Sequence, residues 1–106
     1  MLVRTAVALL LAWACGGAGF AQAASVERGH AYARAHCARC HAIDLKSSSH
    51  LAIAPPFRKL HERYPVESLA EALAEGIVTG HNEMPEFRLE PDQIADFIAF
   101  LKSLER

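Results

Sequence analysis

The sequence predicts an all-α fold in which three main helices wrap around one bound group, and three observations predict it. No stretch of the chain alternates apolar and polar residues with the period of two that a half-buried strand needs. The C-terminal segment instead carries Ile94, Phe97, Ile98, Leu101 and Leu104 at i, i+3, i+4, i+7 and i+10, one apolar stripe along a helix. Finally, Cys37-Ala38-Arg39-Cys40-His41 has the C-x-x-C-H spacing that attaches a c-type haem covalently. Two thiols three positions apart on one helical turn can each add to a vinyl group, and the adjoining imidazole then reaches the iron. Five residues thus specify haem c, its linkage through Cys37 and Cys40, and His41 as the proximal iron ligand.

The N-terminus indicates where this chemistry takes place. Met1 to Arg4 form a short, positively charged start, Thr5 to Cys15 an apolar stretch, and Ala21-Gln22-Ala23 the small residues that signal peptidase accepts. Residues 1–23 therefore read as a secretory signal, and residues 24–106 as the mature domain. An uncleaved membrane anchor is the alternative, but Ala, Gly and Gln interrupt the apolar run before the roughly 20 residues that span a bilayer; no membrane span is expected in the mature chain. Cys15 leaves with the signal, because Ala12-Trp13-Ala14 fits a lipobox poorly and the better cleavage site lies downstream. Export and haem attachment agree, since bacterial c-type haem is attached on the outer face of the inner membrane. The periplasm is the expected location.

Size and charge narrow the options further. The mature chain has 83 residues and two cysteines, Cys37 and Cys40. A disulfide between them would staple only one turn, while a chain this short struggles to bury enough apolar surface. A haem answers that deficit as a large apolar plate in the core. With Arg4 removed, 10 basic residues face 12 acidic ones, a balance with no nucleic-acid or membrane-surface footprint. The cluster Arg58, Lys59, His61 and Arg63 reads equally well as a solvated face or as a contact to a partner or a haem propionate.

Taken in order, the elements are helix, loop, helix, loop, helix. Ser25 is a good N-cap, with Glu27 in the first turn, for a helix running through Gly29, Tyr32 and Ala33 into the haem motif. Residues 42–64 form an irregular stretch, because Ser47-Ser48-Ser49 and Pro55-Pro56 forbid a continuous helix there. Pro65 suits the first position of a second helix, in which Val66, Leu69, Leu73 and Ile77 follow at helical spacing before Gly76 and Gly80 mark its decline. Pro91 opens the third.

The sixth iron ligand separates an electron carrier from a catalyst or a gas sensor. Met84 is the only methionine of the mature chain and lies 43 positions beyond His41, far enough for the chain to return on the other face of the haem. A thioether is a soft, neutral ligand that favours ferrous iron. An isolated methionine is usually core filler, but a Met84-Pro85 pair in a polar loop between two helices favours ligation. His81, three residues earlier, is the rival. His30, His36, His50 and His61 read as surface or loop residues without the clustered spacing of a zinc site. Tyr32, Tyr64, Arg58 and Lys59 are candidates for propionate hydrogen bonds, and the sequence does not select among them.

With the motif near the mature N-terminus, the Met84-Pro85 loop and a final helix reading Ile94-Ala95-Asp96-Phe97-Ile98-Ala99-Phe100-Leu101, residues 25–106 resemble the class I bacterial cytochromes c. The resemblance implies their small monohaem fold. It implies that Gly29 packs against an aromatic of the last helix, Phe100 or else Phe97. It also implies that a proline carbonyl accepts from Nδ1 of His41 and fixes its tautomer. The pattern Ala54-Pro55-Pro56-Phe57 assigns this to Pro55, with Pro56 as the alternative. Two departures from the family are Ala54 where Gly is commoner and Glu90 where Ser or Thr often caps the helix.

The function expected is that of a periplasmic carrier of single electrons through a His41/Met84-ligated haem, serving transient redox partners such as a dehydrogenase, an oxidase or a cytochrome complex. It would act as a monomer or as a subunit of a hetero-complex. The alternatives are the haem c subunit of a periplasmic dehydrogenase or oxidase, a gas-binding or peroxidatic haem protein, and a haem-free dithiol protein. The last lacks the βαβ pattern that its context requires.

Overall fold

In the computed structural model, which describes residues 23–106, Ser25 opens the first helix. The expected signal sequence, Cys15 included, lies outside the described residues apart from Ala23. Ser25 has extended backbone, and its hydroxyl accepts from the Arg28 amide at 3.1 Å, satisfying one of the free N–H groups of the first turn. Helix α1 spans Val26–His36. Cys37 closes it, its amide donating to Ala33 O at 2.7 Å. The motif itself is one further turn beyond the helix, held by Cys40 and His41 amides that donate to Cys37 O at 3.2 and 2.9 Å.

The stretch after the motif is less irregular than the sequence implies. A 3-10 helix, Phe57–Glu62, follows Pro56 and buries Phe57 and Leu60, which share one face at its three-residue repeat. In the loop before it, Asp44 accepts from the Lys46 and Ser47 amides and the Ser47 hydroxyl. Arg58 donates to Ser47 O at 2.7 Å and to Asp44 O at 3.4 Å, tying this loop to the 3-10 helix.

Pro65 stands one position outside the second helical segment, in extended backbone, and Val66–Ser68 forms a 3-10 turn that passes into α2, Leu69–Glu75. Ile77, expected on this helix, lies beyond it. Gly76 has φ of 106° and reverses the chain, a conformation that side chains with a Cβ rarely adopt. Ile77 then pairs with Phe87 in an isolated antiparallel bridge, its amide donating to Phe87 O at 2.9 Å. Two more bonds seal the same junction, from Leu89 N to Leu73 O and from Arg88 Nη2 to Glu75 O, both 2.9 Å. Residues 78–86 are thereby drawn into a closed loop.

Helix α3 spans Pro91–Ser103. Glu90 occupies the N-cap position, and Gln93 reaches back so that its side-chain oxygen accepts from the Glu90 amide at 3.0 Å. The expected stripe is the buried face: Ile94, Phe97, Leu101 and Leu104 join the core, and Ile98 packs against it. Phe100 is buried beside them. Val66 and Leu101, both inaccessible to solvent, join the 3-10 turn to α3 in the same core.

Helices α1 and α3 cross at Gly29. A Cβ built there would lie 2.1 Å from Asp96 O and 2.7 Å from Phe100 Cβ, so only a residue without one permits the approach. The crossing is locked by Asp96, which is 8% exposed. Its carboxylate accepts from the Ser25 amide at 2.8 Å and from Arg28 Nε and Nη2 at 2.8 and 3.1 Å.

The Arg28 guanidinium and the Ser25 amide hold the Asp96 carboxyl below the usual range. Because the folded value lies below the unfolded one, about 3.9, the clamp contributes in full above that pH and is lost as pH falls through the lowered value. Asp44, held down at about 2 by the Ser47 hydroxyl and the Ser47 and Lys46 amides, adds to the same acid limb. Asp96→Asn is expected to melt below the parent at neutral pH, with the gap in melting temperature narrowing below about pH 4. A gap that stayed constant across that range would remove the carboxylate charge from the account.

Candidate haem site

Between α1, the motif turn, the 3-10 helix Phe57–Glu62, the loop 78–86 and α3 lies a cavity of about 300 Å³. Its walls are mainly apolar. Cys37, Cys40, His41 and Met84 all line it, so the four side chains expected to bind the haem face one space. A continuous series of ring contacts runs around its wall. His41 meets Phe57 at 4.8 Å, Phe57 meets Phe97 at 5.8 Å, and Phe97 meets Tyr32 at 5.9 Å. Tyr32 then meets His36 at 4.4 Å, and His36 meets Phe87 at 6.2 Å. Burial raises the Tyr32 phenol above its ordinary range.

Each donor is set by its backbone. His41 Nδ1 lies 2.8 Å from Pro55 O; the carbonyl can only accept, so Nδ1 carries the proton and Nε2 keeps its lone pair for a metal. The segment that supplies this carbonyl is fastened on either side, by Leu51 N donating to Cys40 O at 3.1 Å and Phe57 N donating to Ala42 O at 2.9 Å. Cys37 and Cys40 are free thiols. Burial pushes the Cys37 thiol up to about 12, so it stays protonated near neutrality. Met84 sits in a turn whose amide donates to His81 O at 3.1 Å, in the loop closed by the Ile77 and Phe87 bridge.

This set fits a haem c. An apolar void accepts the flat macrocycle, two thiols stand where thioether bonds would form, an imidazole of fixed tautomer offers Nε2, and a thioether faces the same space. The fit extends over most of the chain: the family model described as Cytochrome c matches residues 26–105. The chain belongs to the cytochrome c family. Neither the curated proteins nor the solved structures yield a match. As a member, this cytochrome is a haem-containing electron-transfer protein with covalently attached haem c, and the all-helical fold anticipated from its sequence is the one observed. No helix among the described residues is long and apolar enough to cross a membrane.

The propionate candidates separate in the structure. Tyr32 and Tyr64 line the cavity, as does Arg63. Arg58 does not, since its guanidinium is engaged by the carbonyls of the 44–47 loop, and Lys59 lies exposed outside it. His36 and Phe87 were not singled out as site residues from the sequence. The signal for His36 was present, four residues after Tyr32 on one helical face and adjacent to Cys37. For Phe87 it was not, because its place depends on the bridge to Ile77.

Proposed function

We propose that this cytochrome carries single electrons between protein partners in the periplasm, with iron held by His41 and Met84 and haem bound through Cys37 and Cys40. The observation that carries the reading is the convergence of these four side chains on one apolar cavity, with the His41 tautomer set by Pro55. When bound, the haem supplies a one-electron ferric/ferrous couple. The protein's own part is to keep its surroundings unchanged as charge comes and goes. Pro55 holds the imidazole in one orientation, the ring series from Phe57 to Phe87 keeps water from the cavity, and the bridged loop holds Met84 in position.

A neutral nitrogen and a neutral sulfur ligand bind both oxidation states, so little rearrangement accompanies transfer, and the thioether favours the reduced form. Ile53 lines the cavity yet is 61% exposed, which supports a haem edge open to a partner that docks briefly. Export to the periplasm follows from the signal sequence read at residues 1–23. The ligation is tested by optical spectroscopy of the purified holoprotein. The ferric wild type is expected to show the weak far-red charge-transfer band of sulfur-ligated haem, and Met84→Ala to lose it. Absence of that band from the wild type would sink the His/Met assignment.

A further inference from the structure

His81 lines the same cavity as Met84, and the functional reading leaves it without a role. The two residues are ends of a single turn, the Met84 amide donating to His81 O at 3.1 Å. Residues 78–83 are exposed in succession, so the turn that carries both is free of packing on its outer side. At its base the loop is fastened by the bridge between Ile77 and Phe87. The His81 amide donates to Thr79 Oγ1, but no hydrogen bond among the described residues involves the His81 ring. An imidazole with an uncommitted ring, three residues from the thioether and facing the same void, is the nearest replacement ligand this loop can offer.

We infer that the loop carries a second axial ligand: His81 takes the iron whenever the Met84 thioether does not. This rests on Met84 as the wild-type ligand. His36 also lines the cavity, but its ring already lies beside Tyr32 at 4.4 Å and Phe87 at 6.2 Å, and it is exposed on the last turn of α1. Its backbone is fixed in that helix, so only a side-chain rotation is open to it. His81 needs only a re-aiming of an exposed turn. The consequence is chemical. With the thioether lost, His41 and His81 would hold the iron, which would lower the reduction potential relative to His/Met ligation and slow the entry of diatomic ligands.

The test compares the holoproteins of wild type, His81→Ala, Met84→Ala, Met84→Ala/His81→Ala and Met84→Ala/His36→Ala by near-infrared magnetic circular dichroism and by carbon monoxide binding to the reduced forms. Met84→Ala is expected to show the bis-imidazole charge-transfer signature and slow carbon monoxide binding. Adding His81→Ala is expected to abolish the signature, give a high-spin iron and speed binding, whereas adding His36→Ala changes neither. A high-spin Met84→Ala that binds carbon monoxide as fast as the His81 double variant overturns the inference, as does loss of the signature with His36→Ala. The wild-type spectrum judges the underlying reading separately. A bis-imidazole signature already present there and lost in His81→Ala alone overturns Met84 as the native ligand and still makes His81 an iron ligand.

Discussion

Replacing Cys37 and Cys40 together by Ala is expected to yield a chain that holds no covalent haem and shows no cooperative unfolding transition. The reason is the volume left behind. A void of about 300 Å³, at about 24 cal/mol per Å³ of unfilled cavity, costs at most about 7 kcal/mol, the figure for a cavity that stays closed to water. A domain the length of the matched residues 26–105 has a total stability of about 4–12 kcal/mol. The two are of one size, so the helices cannot be expected to stand around an empty cavity. The Phe57, Phe97 and Tyr32 rings that form its wall would collapse into it or become wetted. Haem staining of denaturing gels reads the first part and thermal melting followed by circular dichroism the second. A sharp melt in the haem-free variant, with native helix content, would show that the α1 and α3 crossing and the Leu101 core suffice alone.

Gly29→Ala is the second large effect. Its new methyl group would fall 2.1 Å from Asp96 O and 2.7 Å from both Asp96 C and Phe100 Cβ. Two of these atoms are main chain and the third is bonded to it, so no rotamer change relieves the overlap. The helices must separate. That separation also pulls Asp96 away from the Ser25 amide and Arg28, whose bonds depend on the same crossing. Overpacking of this kind costs about 3 kcal/mol, which in a domain of this size lowers the melting temperature by about 15 °C. A holoprotein melting within a few degrees of the parent would mean that the helices slide past each other at little cost.

These two results bear on parts of the molecule that were legible in the sequence to different degrees. The Ser25 cap, the Pro91 start and the α3 stripe follow from local chemistry, and the structure has all three where local chemistry puts them. Gly29 was legible only through family resemblance, since nothing near it in sequence says that another backbone passes there. Asp96 was hidden altogether. On the helix it looks like a solvated carboxylate, and its burial depends on Arg28, 68 positions earlier. Ile77 was misplaced for a related reason. Its spacing after Leu73 continues the helical period, but Gly76 ends the helix and a partner ten residues on takes Ile77 into a bridge. In the site, the motif residues and Met84 were legible because their chemistry is local to a few positions, while the aromatic wall that joins them is assembled from four separate segments.

Pairing the first helix with the last also sets a timetable. The contacts of Gly29 and Ser25 lie near residues 96–100, so almost the whole chain must be made before α1 has anything to pack against. Closing a loop that long carries a large entropic cost, and contacts so distant in sequence form late. The haem-binding motif, by contrast, is complete once His41 has emerged. Between those two moments both cysteines stand on an unpacked chain, Cys37 without the burial that later surrounds it. With the proposed export, in which the N-terminal part of the chain crosses first, this order grants the attachment chemistry an interval of open access, and the arrival of α3 ends it.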